Sequence, residues 1–374
     1  MPKRGENIHK RKDGRWEGRI LISSVGDKKY QSIYGKSYTD VKQKMRTFKF
    51  EWKEPETKVK FFNEVCQSWL QSIKVRNKES TIAKYKHTID KHILPYFKEV
   101  RTSELNQDKL NQFMQEKMKT GRLDRKGALS SKTIHDITTI LLQIIHYAIK
   151  AGYIRNFNCE IEKPVIQKKE IDVLSINEQN KLVTLVKEDI KRDIKCIGIL
   201  LSLYTGMRLG EICALKWSDV QLDIGVINIT KTIQRIKNID INSNSKTKII
   251  IDIPKTRNSV RQVPIPSFLL VQLKEWSKKF SSDAYILTGN SSKYIEPRTY
   301  QNIFKKYLKQ ASVRNINFHA LRHTFATRSI EQDVDVKSLS DILGHATVSF
   351  TLERYVHPSF DLKRLNMEKL SVYY

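Results

Sequence analysis

Four short stretches hold the residues whose types and spacing could do chemistry. FHALRHTFAT (residues 318–327) places His319 and Arg322 three positions apart, and LGHATVSFTLERYVH (residues 343–357) places His345 and Tyr355 ten apart. Residues three apart on a helix share a face, so His319 and Arg322 can reach one oxyanion. His323 points elsewhere on this spacing and reads as structural. Upstream, TGMRLGEICALKW (residues 205–217) puts Arg208 just past a helix-breaking Gly206, where a new helix can begin. A guanidinium there opposes the helix dipole, a misfit that disappears if an anion sits between them. In PKTRNSVRQVPIP (residues 254–266), Lys255 stands at a strand end beside a tight turn, from which a long ammonium can reach into a groove. Taken singly, each has a plainer reading: Arg208 as the i,i+3 partner of Glu211, and Lys255 as an ordinary hairpin lysine.

Together the residue types suit attack on a phosphodiester. Its non-bridging oxygens repel a nucleophile, and arginine offers permanent, bidentate charge to such oxygens. Arg208 and Arg322 would offset the charge that grows in a pentavalent transition state. A tyrosine is a weak nucleophile at its usual pKa of roughly 10, but an imidazole can accept its proton. A lysine can protonate the leaving 5′-oxygen. Attack by a side chain keeps the energy of the broken bond in a covalent intermediate, so the step can reverse onto a different 5′-hydroxyl with no ATP, metal or other cofactor. The paired carboxylates expected of a two-metal nuclease are missing from all four stretches.

The elements that must position these residues follow from periodicity. From residue 174 a mixed domain is expected. A helix capped by Ser175 carries Leu182, Leu185 and Val186, and a buried helix spans residues 194–204. Strands are expected at 226–233, 249–253 and 261–265, with a polar hairpin tip at 238–246. Val336, Leu339 and Leu343 make an amphipathic helix that Gly344 ends, with His345 at its cap. Residues 61–157 read as all helical, in four stripes. These are Phe62, Val65, Trp69 and Ile73; Ile82 to Ile93, ending at Pro95; Leu110, Phe113, Met114 and Met118; and Ile134 to Ala148, capped by Ser130 or Ser131 and stopped by Gly152. Residues 1–58 read as a small module. Strands at 10–12, 15–22 and 29–37 turn at 25–27, and a helix capped by Thr39 buries Val41, Met45, Phe48 and Trp52.

Composition points to the partner. The 374 residues suggest two or three domains, and 68 Lys/Arg against 40 Asp/Glu leave a formal net charge of +28. Such an excess suits a polyanion. The basic residues are spread through the chain and not gathered beside an apolar span, which argues against a membrane. Residues 1–12 are basic with no apolar run behind them, so no secretion signal is read. The four cysteines (Cys66, Cys159, Cys196, Cys213) form no C-x-x-C pair and read as reduced core residues of a cytoplasmic protein.

The ordered set TGMRLGE, PKT, HALRH, LGHATVS and ERY resembles the tyrosine recombinase (phage integrase) family, within it the integrases of conjugative transposons. STIAKYKHTIDKHILPYF (residues 80–97) resembles the core-binding domain of phage-type integrases, and RKDGRWEGR (residues 11–19) the N-terminal arm-binding domains of integrases from conjugative transposons. The resemblance implies a small α+β DNA-binding module at 1–58 and an all-α core-binding domain at 61–157. A mainly α (α+β) catalytic domain with a small β-sheet and a C-terminal tail is implied at 172–374. It implies that Arg208 and Arg322 bind the scissile phosphate and that Lys255 is the general acid. His319 would assist proton transfer, His345 would hydrogen-bond the phosphate, and Tyr355 would form a 3′-phosphotyrosyl bond. Glu211 would orient the Arg208 loop. It further implies double-stranded DNA at core and arm-type sites, a homotetramer, strand exchange through a Holliday junction, and an excisionase and a DNA-bending protein as accessory partners. Residues 358–374 would dock on a neighbouring subunit and restrain Tyr355. Two other functions are weighed. A type IB topoisomerase-like relaxing enzyme would share the tyrosine chemistry but not the N-terminal module. A non-catalytic architectural protein would not need all six polar residues.

Overall fold

A computed structural model describes the chain except residues 1–6, 24–28, 52–57, 125–126, 155–158, 167–170, 241–242, 254–256, 356–363, 365–366 and 369–374. The chain divides into two compact units, residues 1–168 with 239–241, and residues 169–238 with 242–374. Helices dominate both, with small sheets. Among the described residues no helix is long and apolar enough to cross a membrane.

The first unit opens with β1 (Ile8–Lys10), β2 (Trp16–Ser23) and β3 (Lys29–Gly35), an antiparallel sheet in that order, backed by α1 (Tyr38–Glu51). The first strand precedes the expected 10–12. The helix cap is Ser37, not Thr39: the Asp40 backbone N–H donates to the Ser37 hydroxyl at 3.1 Å, and the helix starts at Tyr38, two residues earlier than a Thr39 cap would place it. The expected turn at 25–27 and Trp52 lie outside the described residues.

The helical group follows as α2 (Phe62–Lys74), α3 (Glu79–Thr88), α4 (Leu94–Phe97), α5 (Gln107–Thr120) and α6 (Ser131–Lys150) around a buried cluster with Phe62, Phe97, Phe113 and Leu141 at its heart. The second helix does not end at Pro95. A π-helical turn, Ile89–Ile93, joins α3 to α4, and the Leu94 N–H donates to the Ile89 carbonyl. Pro95 then falls in the first turn of α4, where its missing N–H costs nothing. Met118 is exposed where core was expected, and Lys117 is buried in its stead. The Lys117 stem packs inward while its ammonium lies 5.3 Å from the Phe113 ring centroid and pairs with Glu116 at 2.9 Å. The Ser130 cap holds: its hydroxyl accepts from the Thr133 N–H.

The second unit begins with α7 (Ile176–Asp189), where Ser175 and Glu178 form a reciprocal capping box. Then come α8 (Ile197–Thr205), α9 (Leu209–Ala214), β4 (Val220–Gln221), β5 (Val226–Ile229), β6 (Thr232–Lys237), β7 (Thr247–Asp252) and β8 (Arg261–Pro264). The strand expected at 226–233 is two strands. β5 pairs with β4 and β8, whereas β6 pairs only with β7, so the chain changes sheet at Thr230 and Lys231. The remaining helices are α10 (Ser267–Ser277), α11 (Pro297–Gln310), α12 (His319–Glu331), α13 (Val336–Leu343) and α14 (Val348–Tyr355). α8 is apolar all round because it is the buried centre of this unit: Ile197, Leu200, Leu201 and Leu203 join Tyr300, Phe304, Phe318 and Leu321 in one cluster. Cys66, Cys196 and Cys213 are buried free thiols.

Candidate active site

The site is built where two helices stop. α8 ends at Gly206, whose φ of +66° is left-handed and whose missing Cβ would meet Phe325 at 2.6 Å and Leu343 at 2.7 Å. The Ser202 hydroxyl donates to the Met207 carbonyl at 3.1 Å and fixes the turn that presents Arg208. α13 ends at Gly344, with φ +65°. There the Gly344 N–H donates to Asp341 and the His345 N–H to Ser340, the paired bonds of a Schellman closure. That closure aims the chain at His345.

A closed helix end still leaves carbonyls without intrahelical donors, and they form the negative pole of the helix. Three arginines from three other elements take three consecutive carbonyls here. Arg261 Nε donates to Ile342 at 2.6 Å, Arg322 Nη2 to Leu343 at 2.8 Å, and Arg208 Nη2 to Gly344 at 3.3 Å. Cations so close need an anion as well, and Glu211 supplies it. Its carboxylate, 3% exposed, accepts from both terminal nitrogens of Arg261 (3.0 and 2.9 Å) and from Arg208 Nη1 and the Arg208 backbone N–H (both 2.9 Å). Burial alone would raise the Glu211 carboxyl, but Arg261 and Arg208 hold it below the usual range, so it is ionised. The ion pair that Arg208 makes with Glu211 and a role in holding an anion are therefore compatible.

Arg322 is 1% exposed. Its Nη1 donates to the Gly206 carbonyl at 2.7 Å, its Nη2 donates to the Leu343 carbonyl at 2.8 Å and to His345 Nε2 at 2.9 Å, and the guanidinium also hydrogen-bonds the Tyr355 side chain. Burial, then Arg208 and Arg261, push its guanidinium down to about 9, which leaves it charged at neutral pH. An arginine donor makes His345 Nε2 the acceptor. The His345 proton therefore sits on Nδ1, which donates to the Thr351 hydroxyl at 2.7 Å.

Tyr355 is buried at the end of α14, and its hydroxyl lies 2.8 Å from His323 Nδ1. Burial raises the phenol, while Arg322, Arg354 and Arg208 pull the other way. The His345 ring lies parallel to the phenol with centroids 6.3 Å apart. His319 is exposed at the mouth of the site, its ring edge-on to that of His323 at 4.5 Å. Desolvation, Arg322 and Arg208 lower its imidazole.

Five of the six sequence-derived residues can thus be placed. Arg208, His319, Arg322, His345 and Tyr355 come to one place, and Lys255 lies outside the described residues. Its neighbourhood is visible: Asn258 Nδ2 donates to the His345 carbonyl at 3.2 Å, so the β7–β8 connection reaches the same loop. His323 is a correction. Sequence spacing turned it away from the site, yet it contacts the Tyr355 hydroxyl directly. Local spacing does not mark Arg261, whose signal in the sequence is its place in the same basic stretch as Lys255.

Two buried neutral histidines make stability depend on pH. Burial, then His319, Arg354 and Arg322, push His323 down to about 4 against an opposing pull from Asp172. Burial, then Arg322, Arg208, Arg261 and His319, push His345 down to about 3. The unfolded chain titrates them near 6.5. The stabilisation is therefore complete above about pH 6.5 and is lost as pH falls from there toward the folded values. Between pH 7 and pH 5 the unfolding free energy is expected to fall by about 2 kcal/mol per histidine. Urea titrations at the two pH values measure it, and the drop should shrink in a His323→Asn variant.

Comparison with known proteins gives two family matches: the phage integrase family over residues 172–361, and the phage integrase N-terminal SAM-like domain over residues 61–118. A tyrosine recombinase XerC-like protein of Caldanaerobacter subterraneus subsp. tengcongensis is 30% identical over 316 residues, covering 79% of this chain and 78% of the relative. Among solved structures, the Tn1549 transposon integrase in complex with a circular intermediate DNA superposes with a TM-score of 0.64 at 22% identity, covering 82% of this chain and 99% of that one. A lambda integrase tetramer bound to a Holliday junction gives a TM-score of 0.56 at 14% identity, covering 96% and 98%.

Proposed function

The chain belongs to the phage integrase family and is a tyrosine recombinase, a DNA strand-exchange enzyme; from that premise we propose how its residues divide the reaction. Arg208 and Arg322 hold the scissile phosphate, and Tyr355 attacks phosphorus to give a 3′-phosphotyrosyl bond. Lys255 protonates the 5′-oxygen, His345 hydrogen-bonds the phosphate, and His319 assists proton transfer from the mouth of the site. The observation that supports this best is the meeting of Arg208, Arg322 and Arg261 on one helix end beside a buried tyrosine hydroxyl. Charge of that density in a partly closed site is what a dianionic, pentavalent transition state requires. For His345 to donate to phosphate, its hydrogen must sit on Nε2, and Nδ1 then accepts a hydrogen bond from the Thr351 hydroxyl, which keeps its proton.

The test is a nicked duplex cut from the DNA flanking the coding region. Wild type should trap as a covalent protein–DNA adduct on a denaturing gel, and Tyr355→Phe should bind the duplex and give none. Equal inactivity of the two would sink the assignment. The relaxing-enzyme alternative is not favoured, because the relative that spans most of this chain is a recombinase.

The finer organisation belongs to the same proposal: an arm-type module at 1–58, a core-binding domain at 61–157 and a catalytic domain at 172–374, acting as a homotetramer through a Holliday junction. That tetramer and junction are what the lambda integrase structure holds. An excisionase and a DNA-bending protein would be accessory partners, and the site of action cytoplasmic. The N-terminal sheet supports a DNA-facing role. Gly18 packs on α1, so alternation turns Arg19 and Leu21 to the other side, where their cross-strand partners are Ser32 and Tyr30. The guanidinium groups of Arg11 and Arg15 lie 5.7 and 5.8 Å from the Tyr34 ring. Most of the tail at 358–374 lies outside the described residues.

A further inference from the structure

Of the three imidazoles near Tyr355, two are poorly placed to take its proton. His345 has both ring nitrogens committed, Nε2 to Arg322 and Nδ1 to Thr351, and its ring stacks parallel to the phenol. His319 stands exposed at the mouth. The Tyr355 hydroxyl lies 2.8 Å from His323 Nδ1, with both groups buried, and its other side-chain partner, Arg322, can only donate, which leaves His323 as the acceptor. His323 follows Arg322 on α12 and is turned about 100° from it. That rotation carries it out of the phosphate-facing row and onto α14.

We propose that His323 is a catalytic residue of this recombinase, the general base that accepts the Tyr355 phenol proton as the phenol oxygen attacks phosphorus. This rests on the recombinase reading, with Tyr355 as nucleophile. The step balances. The O–H bond of Tyr355 breaks and its proton goes to His323 Nδ1, while the phenolic oxygen bonds to phosphorus. The bond from phosphorus to the 5′-oxygen breaks, and that oxygen takes a proton from Lys255. His323 must carry its own hydrogen on Nε2 and becomes an imidazolium. The groups facing it are His319 and Arg322 on its own helix, Arg354 and Tyr355 on α14, and Asp172 ahead of α7. Asp172 is the group among these that favours the charged ring. Rejoining runs the same path backward and returns the proton to Tyr355.

The experiment compares single-turnover cleavage of two nicked duplexes taken from the flanking DNA, one with the natural 5′-bridging oxygen and one with sulfur in that place. Sulfur leaves without a proton, so it relieves a missing general acid but not a missing base. His323→Asn keeps an acceptor near the Nδ1 position that cannot take the proton. It is expected to bind the duplex as wild type does and to cleave about 100-fold more slowly on both substrates. Lys255→Ala is expected to be slow on oxygen and to recover on sulfur. Cleavage by His323→Asn within threefold of wild type, faster than wild type, or restored by sulfur overturns the assignment. Free imidazole added to His323→Gly gives a second reading. Recovery is expected, and no recovery in a variant that still binds the duplex also overturns it. If wild type itself formed no adduct, the recombinase reading would fail. If wild type reacts and His323→Asn keeps pace, only the present inference fails.

Discussion

Lysine in place of Arg322 is expected to slow strand cleavage about a thousandfold while leaving affinity for duplex DNA close to that of wild type. Arg322 is a poor candidate for binding strength, because it is almost wholly buried and one among 68 basic residues. Its value lies in geometry. One planar group holds the Gly206 carbonyl, the Leu343 carbonyl and His345 Nε2 at 2.7, 2.8 and 2.9 Å, and so ties the ends of α8 and α13 to the imidazole. A lysine ammonium is a point charge with three donors and cannot reproduce that fork. Losing one preorganised donor to a transition-state oxyanion costs roughly 10²–10³ in rate, and here the position of His345 goes with it. The measurement is a single-turnover rate on a nicked duplex beside an equilibrium binding titration. A rate within tenfold of wild type would show that Arg322 is scaffolding and that Arg208 alone carries the phosphate.

The second large effect is on stability. Arg261→Met is expected to destabilise the second unit by about 3–5 kcal/mol, the usual consequence of removing one partner from a buried ion pair. Glu211 would keep Arg208 but lose both bonds from Arg261, and the Ile342 carbonyl would lose its donor. The companion is Arg261→Met combined with Glu211→Gln. With the carboxylate neutral, much of the cost of an unpaired buried charge disappears, so the double variant should lose clearly less than the sum of the singles. Urea unfolding of the four proteins gives the coupling energy. Strict additivity would mean that Arg261 acts through packing and not through Glu211.

Much of this was legible in the chain itself. Apolar residues at helical spacing marked α2, α6, α7 and α13. Ser130 and Ser175 marked where two of these begin, and Gly206 and Gly344 where two helices stop. The misreadings share a cause. At Pro95 the rule that proline ends a helix lost to a π-turn that absorbs one extra residue. At residues 226–233 a continuous β-forming run could not reveal that its halves belong to different sheets. At Met118 and Lys117 residue type suggested the wrong side of the helix, because a lysine stem can be as apolar as a methionine.

The active-site roster divides along the same line. By itself the sequence determined which chemical types are present and in what order: two arginines, a lysine, two histidines and a tyrosine, carried on elements whose starts and stops it also encodes. These are local properties, set by spacings of a few residues. Tertiary structure alone decided which groups touch. His323 and Tyr355 are 32 positions apart, Arg261 and Glu211 50, and Arg208 reaches a carbonyl 136 positions away. Helical phase tells which way a side chain points from its own axis. What it meets there depends on how the next helix is packed and rotated, and that is set by the whole core. His323, read as structural from its phase on α12, is for that reason the residue whose surroundings departed most from expectation: it meets the Tyr355 hydroxyl.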